Sequence, residues 1–389
     1  MAKSAPKKKA PGPSLQVRET ANAQERQKIL KFRNRIMVDE LGVSPLATTD
    51  QQRLDEQERD EAARHLFLIA DNAIAGSLRL FTSEMIRPSK EMITNYGLNA
   101  FIEFGPERLS FTDHLAIAEH WRDGKVPALM MAAAFKLAHN GRAQFNFTYC
   151  PPALVGLYEK IGYRSYIEQY LETGEGLQVP MILVMDDIDH LRAINSPFAR
   201  LITSKNPDPS TANWFRKAFP DAANRPVKAL RNEDELWGYL TKQLHQNPLH
   251  GVPLFDDLSY DEARQFVKNA TTLILRSGDR LARAGDVAFE AFVVLSGNVE
   301  IRDRDGSVLA RFDRGSTVGE IAYLAAMPRS ADIVVTQDAE VLVLTQEMFR
   351  KTIASQPAIA SKILFNLTLI LAERLRATSQ NLSNHTQGL

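Results

Sequence analysis

The sequence predicts an α+β chain with more than one domain. A mixed sheet flanked by helices comes first, and an antiparallel jelly-roll-like β-barrel with a long C-terminal helix follows. Three observations carry this. The chain has 389 residues, more than one hydrophobic core usually organises. In its first half, short apolar runs alternate with stretches of helical periodicity. In its second half, short runs are broken by Ser277-Gly278-Asp279, Gly285-Asp286, Ser296-Gly297 and Asp305-Gly306, the last a strong hairpin signal.

Composition narrows the function classes. Lys+Arg and Asp+Glu both number 47, so nothing global favours a nucleic-acid partner. The one cysteine, Cys150, rules out an intramolecular disulfide and suits a reducing, cytoplasmic setting. Residues 1–14 are rich in Lys, Ala and Pro and read as a disordered tail, not a secretory signal. The longest apolar runs, 126–135 and 363–372, are too short to span a bilayer.

The elements follow in order. Residues 18–43 read as a helix, with Ile29, Phe32, Ile36 and Met37 at helical spacing. Residues 65–70 and 73–81 read as strands around a turn at Asn72. Residues 111–118 form a third strand, with Phe111, Leu115 and Ile117 on one face and Thr112, His114 and Ala116 on the other. A helix over 127–139 opens on Pro127, which has no N–H to leave unpaired. A strand over 144–149 and a helix over 152–161, ended by Gly162, complete this part.

Residues 196–250, rich in Pro, Asn and Asp, read as a semi-ordered helical linker; its pieces at 213–219 and 232–246 carry Trp214 and Trp237, which argue for packing. The domain over 251–389 begins with Val252-Pro253-Leu254-Phe255 and a helix whose Ser259 and Glu262 form a capping box. A helix from 346 breaks near Gln356-Pro357, and a longer one runs over 358–382 with Leu364, Leu367, Leu371, Leu375 and Thr378 at three- and four-residue spacings.

Two segments carry chemistry. In the first, Gly319-Glu320-Ile321-Ala322 and, after a short apolar turn, Pro328-Arg329-Ser330-Ala331 set a glycine turn, a helix start and a returning arginine around one point. Backbone N–H groups at a helix start hold a small anion, and an arginine adds a charge-assisted contact. Glu320 would repel that anion and suits a sugar hydroxyl instead; from the residues alone, a ligand-free surface ion pair with Arg329 stays open. The segment resembles the phosphate-binding cassette of cyclic-nucleotide-binding domains, with Val318 where that family usually has Phe. The resemblance implies that Gly319, Glu320, Ile321, Ala322, Arg329, Ser330 and Ala331 hold a cyclic nucleotide, cAMP or else cGMP.

Residues 372–379 are similar to the dimer helix of the catabolite activator protein group. That implies Thr378 and Ser379 as base readers and a homodimer through this helix. The chain ends at Leu389, which leaves no room for a helix-turn-helix, so no DNA partner is expected.

In the second segment, the third strand leads through Arg122-Asp123-Gly124-Lys125-Val126 into a long helix, which again points backbone donors at an anion. This order, with Leu157-Tyr158-Glu159-Lys160-Ile161-Gly162-Tyr163, resembles the core of GNAT acyltransferases over residues 15–195, although the loop is one residue short of the usual pattern. The resemblance implies acetyl-CoA or a longer acyl-CoA at Arg122, Gly124, Lys125 and Val126, with Tyr158 as the acid that protonates the leaving thiolate. Phe32-Arg33, Asp39-Glu40-Leu41-Gly42, the acidic run 55–60 and Gly76-Ser77-Leu78-Arg79-Leu80 are similar to the N-acyl amino acid and autoinducer synthase branch. That branch implies Arg33, Asp55, Asp60 and Arg79 around the acceptor and acyl group, with acyl carrier protein as a second donor class. His114, Asp113 and Glu119 are candidate bases for an amine acceptor, a small molecule or a protein lysine.

The expected function is an acyltransferase regulated by cAMP. Two other readings stay open: a nucleotide-binding adaptor whose GNAT-like half is silent, and an enzyme whose sensor half only dimerises.

Overall fold

A computed structural model describes residues 15–40, 50–122, 125–167, 171–173, 176–203, 208–224, 233–268, 270–285, 290–325 and 327–387. The first half runs β1 (Gln16–Glu19), α1 (Ala23–Asn34), α2 (Asp50–Ala62), β2 (Arg64–Ala70), β3 (Ala73–Thr82), α3 (Lys90–Asn95), β4 (Leu109–Ile117), α4 (Val126–Asn140), β5 (Phe145–Cys150), α5 (Val155–Ile161), β6 (Arg164–Ser165), β7 (Leu171–Thr173), β8 (Gly176–Val184) and α6 (Ile188–Ala193). Its sheet has the order β1-β2-β3-β4-β5-β8-β6, with β7 on β8. All neighbours are antiparallel except β4 and β5, which α4 connects as a crossover.

Each face of this sheet has its own core. On one, Val126, Met130, Met131, Ala134, Phe135 and Ala138 of α4 pack on Leu66, Leu68, Leu78 and Leu80. The approach is close enough that a Cβ at Gly76 would stand 2.8 Å from Ile117 and 3.0 Å from Val126. The other face is aromatic: Phe81, Phe101, Phe111, Phe145 and Phe147 are buried together, with Phe81 and Phe111 stacked at 5.0 Å.

The structure departs from the expected elements in four places. The helix expected from residue 18 starts at Ala23 behind an Asn22 cap, because residues 16–19 pair with β2 as an edge strand. Its far end, Arg35–Glu40, is π-helical. The acidic run lies on helix α2. The alternation expected along β4 also fails: Phe111 and Ile117 lie in different cores. Between Asp113 and Ala116 the β3 partner advances only from Arg79 to Ser77, so β4 holds an extra residue there. His114, at φ 48°, is at this bulge, and the bulge reverses which face each later side chain meets.

The chain continues through α7 (Ser210–Ala218), α8 (Pro220–Asn224) and α9 (Glu233–Leu244). Phe215 of α7 is buried in the aromatic core of the N-terminal sheet, while Trp237 and Leu240 of α9 are buried with the C-terminal domain. The linker region is thus folded against both halves where it is described. Next come α10 (Pro248–Gly251), α11 (Tyr260–Val267), β9 (Thr271–Leu275), β10 (Arg280–Ala282), β11 (Glu290–Arg302), β12 (Val308–Phe312), β13 (Thr317–Val318), α12 (Glu320–Ala325), β14 (Asp332–Thr345), α13 (Gln346–Ser355) and α14 (Pro357–Gln387). The strands are antiparallel, in the order β10-β14-β11-β12, with β13 on β11 and β9 on β14. This is the barrel-like antiparallel domain with C-terminal helices that the Gly-broken short runs predict. The capping box at Ser259 and Glu262 forms, and Pro357 opens α14.

The halves share one apolar core. Cys150, Val155, Tyr158 and Met181 belong to the same contiguous cluster as Leu273, Leu275, Val341 and Val343. Strand β10 meets β8, and the turn Pro152–Leu154 between β5 and α5 meets β9 and β14.

A pH effect follows from α6. Burial, with the nearby charge of Arg164, pushes the His190 imidazole down to about 4. The folded state therefore binds fewer protons than the unfolded state between the ordinary value and 4, so stability falls as pH drops through that window. The loss should be on the order of 2 kcal/mol, because the ring keeps some solvent contact. Urea unfolding at pH 7 and pH 4.5 should show it, and His190→Gln should reduce the difference.

Candidate functional site

The C-terminal site is built where β13 ends. Val318 is fully buried and pairs with Phe292, so Val in place of Phe is a packing choice. The chain then turns at Gly319, with φ +81°, a conformation that side chains with a Cβ resist. A Cβ there would stand 2.4 Å from Nη1 of Arg329. Arg329 is 5% exposed. Its Nη1 donates to the Gly319 carbonyl at 2.8 Å and its Nη2 to the Glu290 carbonyl at 2.7 Å. A buried cation is thereby fixed beside the start of α12, where a cyclic phosphate would meet it.

Glu320 is 2% exposed, and its carboxylate accepts from Arg374 of α14. Arg374 also donates to the Thr317 carbonyl and lies 4.3 Å over the Phe312 ring. Thr378, the expected base reader, is one turn beyond, its hydroxyl donating to the Arg374 carbonyl at 2.9 Å. Ser379 and Ser330 are exposed, Ile321 is half-exposed, Ala331 is buried, and the Ala322 side chain lies outside the described residues. Gln346 of α13 donates to the Tyr323 carbonyl of α12 at 3.1 Å, so both C-terminal helices touch the cassette. Arg374 lies in the 372–379 segment, where the sequence alone assigns it no role. Its i,i+4 spacing to Thr378 is the signal that it shares that face.

The N-terminal candidates divide between the two sheet faces. On one, Arg79 is 1% exposed and grips Asp113 twice, both at 2.7 Å. Its Nη1 also reaches Glu56 at 2.8 Å and Asp60 at 2.9 Å. Arg33 of α1 grips the same Asp60 at 3.0 and 2.5 Å. Arg59 donates to Glu56, and Nε2 of His114 is 2.7 Å from the Glu56 carboxylate. Arg33, Asp60, Arg79 and His114 therefore form one network. The Asp55 side chain lies outside the described residues, as does Gly124 of the loop. Glu56 was not singled out from the acidic run, although four residues separate it from Asp60 on one helix face.

Asp113 and Glu56 are weak bases here. Burial by itself would raise both carboxyls. For Asp113 the Arg79 and His114 charges overcome it, and for Glu56 the His114 hydrogen bond and charge, with Arg79 and Arg59, do so. Glu119 is exposed on the turn after β4.

On the opposite face, Tyr158 is 5% exposed and hydrogen-bonded to Thr148 of β5. Burial raises its phenol well above the ordinary value, so it keeps its proton. Its ring meets Tyr163 at 5.4 Å, and the Tyr163 hydroxyl donates to Asn146 at 2.6 Å. Asn146 in turn donates to Ser110 at 2.8 Å and Thr112 at 3.0 Å across the β4/β5 pair. That pairing ends at Phe111 and Phe147, and beyond it β4 and β5 share no ladder. Burial raises the Cys150 thiol, with the Glu159 charge adding to it, which leaves no nucleophile there. Arg122 ties the loop to the Ile117 carbonyl at 3.0 Å, Lys125 is exposed before α4, and Val126 is buried, so Val126 could contact a ligand only through its backbone.

The cyclic nucleotide-binding domain family matches residues 273–356, and this part of the chain is such a domain. Glutaminase 2 of Bradyrhizobium diazoefficiens is 36% identical over 126 residues, which cover 32% of this chain and 20% of that protein. The match lies in the nucleotide-binding region. The cyclic AMP receptor protein of Thermus thermophilus is 30% identical over 132 residues, 33% of this chain and 59% of that protein. The solved catabolite activator protein of Thermus thermophilus is 28% identical, covers 34% of this chain and 63% of its own, and has a TM-score of 0.31. A cyclic nucleotide-binding domain from Methylobacillus flagellatus is 23% identical over 40% of this chain and 87% of its own, at a TM-score of 0.35. Among the described residues, no helix is long and apolar enough to cross a membrane.

Arg329→Ala should weaken cyclic-nucleotide binding roughly 10–150-fold, the weight of one charge-assisted hydrogen bond of about 1.5–3 kcal/mol. Calorimetric titration with cAMP and with cGMP measures it, with the circular dichroism spectrum as the folding control.

Proposed function

We propose that the chain is a cytoplasmic GNAT-type N-acyltransferase whose C-terminal domain regulates it by binding cAMP. It would move an acyl group from acyl-CoA, or from acyl carrier protein, to an amine. The observation that carries the acyltransferase half is the single parallel pair, β4 and β5, whose ladder stops at Phe111 and Phe147. Past that point a thioester arm would enter between the strands, with Tyr158 and Thr148 on one face and His114 at the bulge on the other. Arg122, Lys125 and the first turn of α4 supply positive charge and backbone donors for the pyrophosphate.

The chemistry balances with these residues. The neutral amine attacks the thioester carbonyl, a C–N bond forms, and the C–S bond breaks. The amine's proton goes to His114, and the thiolate takes the proton that burial keeps on Tyr158. Arg33, Asp60 and Arg79 would act as the wall that shapes the acceptor site; their ion pairs already satisfy one another.

The regulatory half draws on two contacts. Glu320 holds Arg374 of α14, so a ribose hydroxyl taking Glu320 competes with that helix. The barrel strands β9 and β14 meet the turn at Pro152–Leu154 that leads into α5 and Tyr158. Thr378 and Ser379 would read the base, one of them across a homodimer of α14. The runner-up, an adaptor with a silent N-terminal half, draws on the burial of Tyr158; any acyl turnover excludes it.

Tyr158→Phe should cut acyl-CoA turnover about 10²–10³-fold, the weight of one general acid. A thiol-release assay over a panel of acyl donors and amines measures it. A change in turnover on adding cAMP should vanish in Arg329→Ala; turnover that ignores cAMP in the wild type would remove the sensor role.

A further inference from the structure

Two buried phenols, Tyr158 and Tyr163, stand together in the core that α4 and α5 share with the sheet. Tyr158 is on α5, and Tyr163 follows the turn that ends this helix. Gly162 makes that turn at φ +121°, where a Cβ would stand 2.4 Å from Leu191. Beyond it, Tyr163 meets Tyr158 twice. Its N–H donates to the Tyr158 carbonyl at 3.0 Å, and its ring lies edge-on to the Tyr158 ring at 5.4 Å. The protons around Tyr163 have fixed directions. Ser110 has one hydroxyl proton, and it goes to the Phe145 carbonyl at 2.9 Å. Its oxygen can then only accept from Asn146, at 2.8 Å, which turns Nδ2 of the amide toward Ser110 and Thr112. Oδ1 of Asn146 therefore faces Tyr163 and takes its hydroxyl proton at 2.6 Å. Ser110 and Thr112 belong to β4 and Asn146 to β5, so both strands of the parallel pair fix this phenol.

We propose that Tyr163 is a positioning residue for the acyl transfer: anchored to β4 and β5 through Asn146, it holds the ring and backbone of Tyr158 where the leaving sulfur forms. The proposal rests on the acyltransferase reading and gives its general acid a support that touches no substrate. Such support is needed. An acid protonates only an atom within hydrogen-bond reach, and α5 has 7 residues, about two turns, to aim the phenol. Tyr163 adds a constraint that comes from the sheet. No proton passes through it: its own is committed to Asn146, so it cannot replace Tyr158 as the acid.

The test uses the full chain, an amine acceptor and one acyl group carried on two thiols, CoA and para-nitrothiophenol. The CoA thiolate is a basic leaving group that gains from an acid, whereas para-nitrothiophenolate is a stable anion that leaves without one. Tyr163→Phe keeps the ring and removes the bond to Asn146. It should lower kcat with the CoA donor about 10-fold at little change in KM. With the nitrothiophenyl donor the loss should shrink below about 2-fold, as it should for Tyr158→Phe. Added to Tyr158→Phe, it should cost almost nothing more, because it acts through that phenol. Thr112→Val, which loosens Asn146 from β4, should show the same pattern. It decides the outcome if the melting temperature shows that Tyr163→Phe does not fold. An equal loss on both donors, a loss that adds in full to that of Tyr158→Phe, or an unchanged kcat overturns the proposal and leaves the acyltransferase reading intact. A wild type with no turnover on any donor overturns that reading, and this role with it.

Discussion

The N-terminal half depends on one buried cation. Arg79 stands in the middle of β3 with almost no solvent contact, and an unpaired guanidinium there would be prohibitive. Its three partners come from two elements: Asp113 from β4, and Glu56 and Asp60 from α2. Arg33 then brings α1 to the same point. Such a network need not be a net source of stability, since hydrophobic replacements of similar volume often do as well. What it does impose is geometry. α2 has little apolar surface of its own, and its position over the β4 bulge is set by where its carboxylates find charge.

The nucleotide domain uses cations differently. Arg329 is held by backbone carbonyls of Gly319 and Glu290, with the Glu290 carboxylate at ion-pair range, 3.8 Å. Arg79 is instead gripped by carboxylate oxygens at hydrogen-bond distance.

Much of this was legible in the sequence, for a local reason. The cassette is a contiguous segment whose glycine, acid and arginine must stand at fixed spacing, so reading it needs no fold. The strands β2, β3 and β5 and helix α4 follow their own periodicity. The failures are all long-range. The bulge at His114 is invisible in an alternating pattern, because it exists only relative to the register with β3. Residues 16–19 are a strand because Ile69 and its neighbours offer an edge. Pro180 interrupts the run that forms β8, where it lies opposite Tyr149. Glu56 and Arg374 lay in segments already singled out, but their partners are 58 and 54 residues away, at His114 and Glu320.

Whether the halves can talk is a question of differential affinity. A nucleotide shifts the N-terminal half only by as much as it prefers one arrangement of the chain over another, and a coupling of about 1–3 kcal/mol needs two arrangements that differ by a few contacts. The structure offers a small set. Arg374 binds Glu320, a contact that a ligand hydroxyl at Glu320 would have to displace, and Asn366 on the same helix donates to the carbonyls of Leu254 and Asp256 at 3.0 and 2.7 Å. The barrel rests on Pro152–Leu154, one turn ahead of Tyr158. Because that turn and Tyr158 share a single apolar core with β9 and β14, a shift of the barrel cannot be absorbed without repacking around the phenol. Close packing, which makes the two cores continuous, is thus also what would let a ligand on one affect the chemistry of the other.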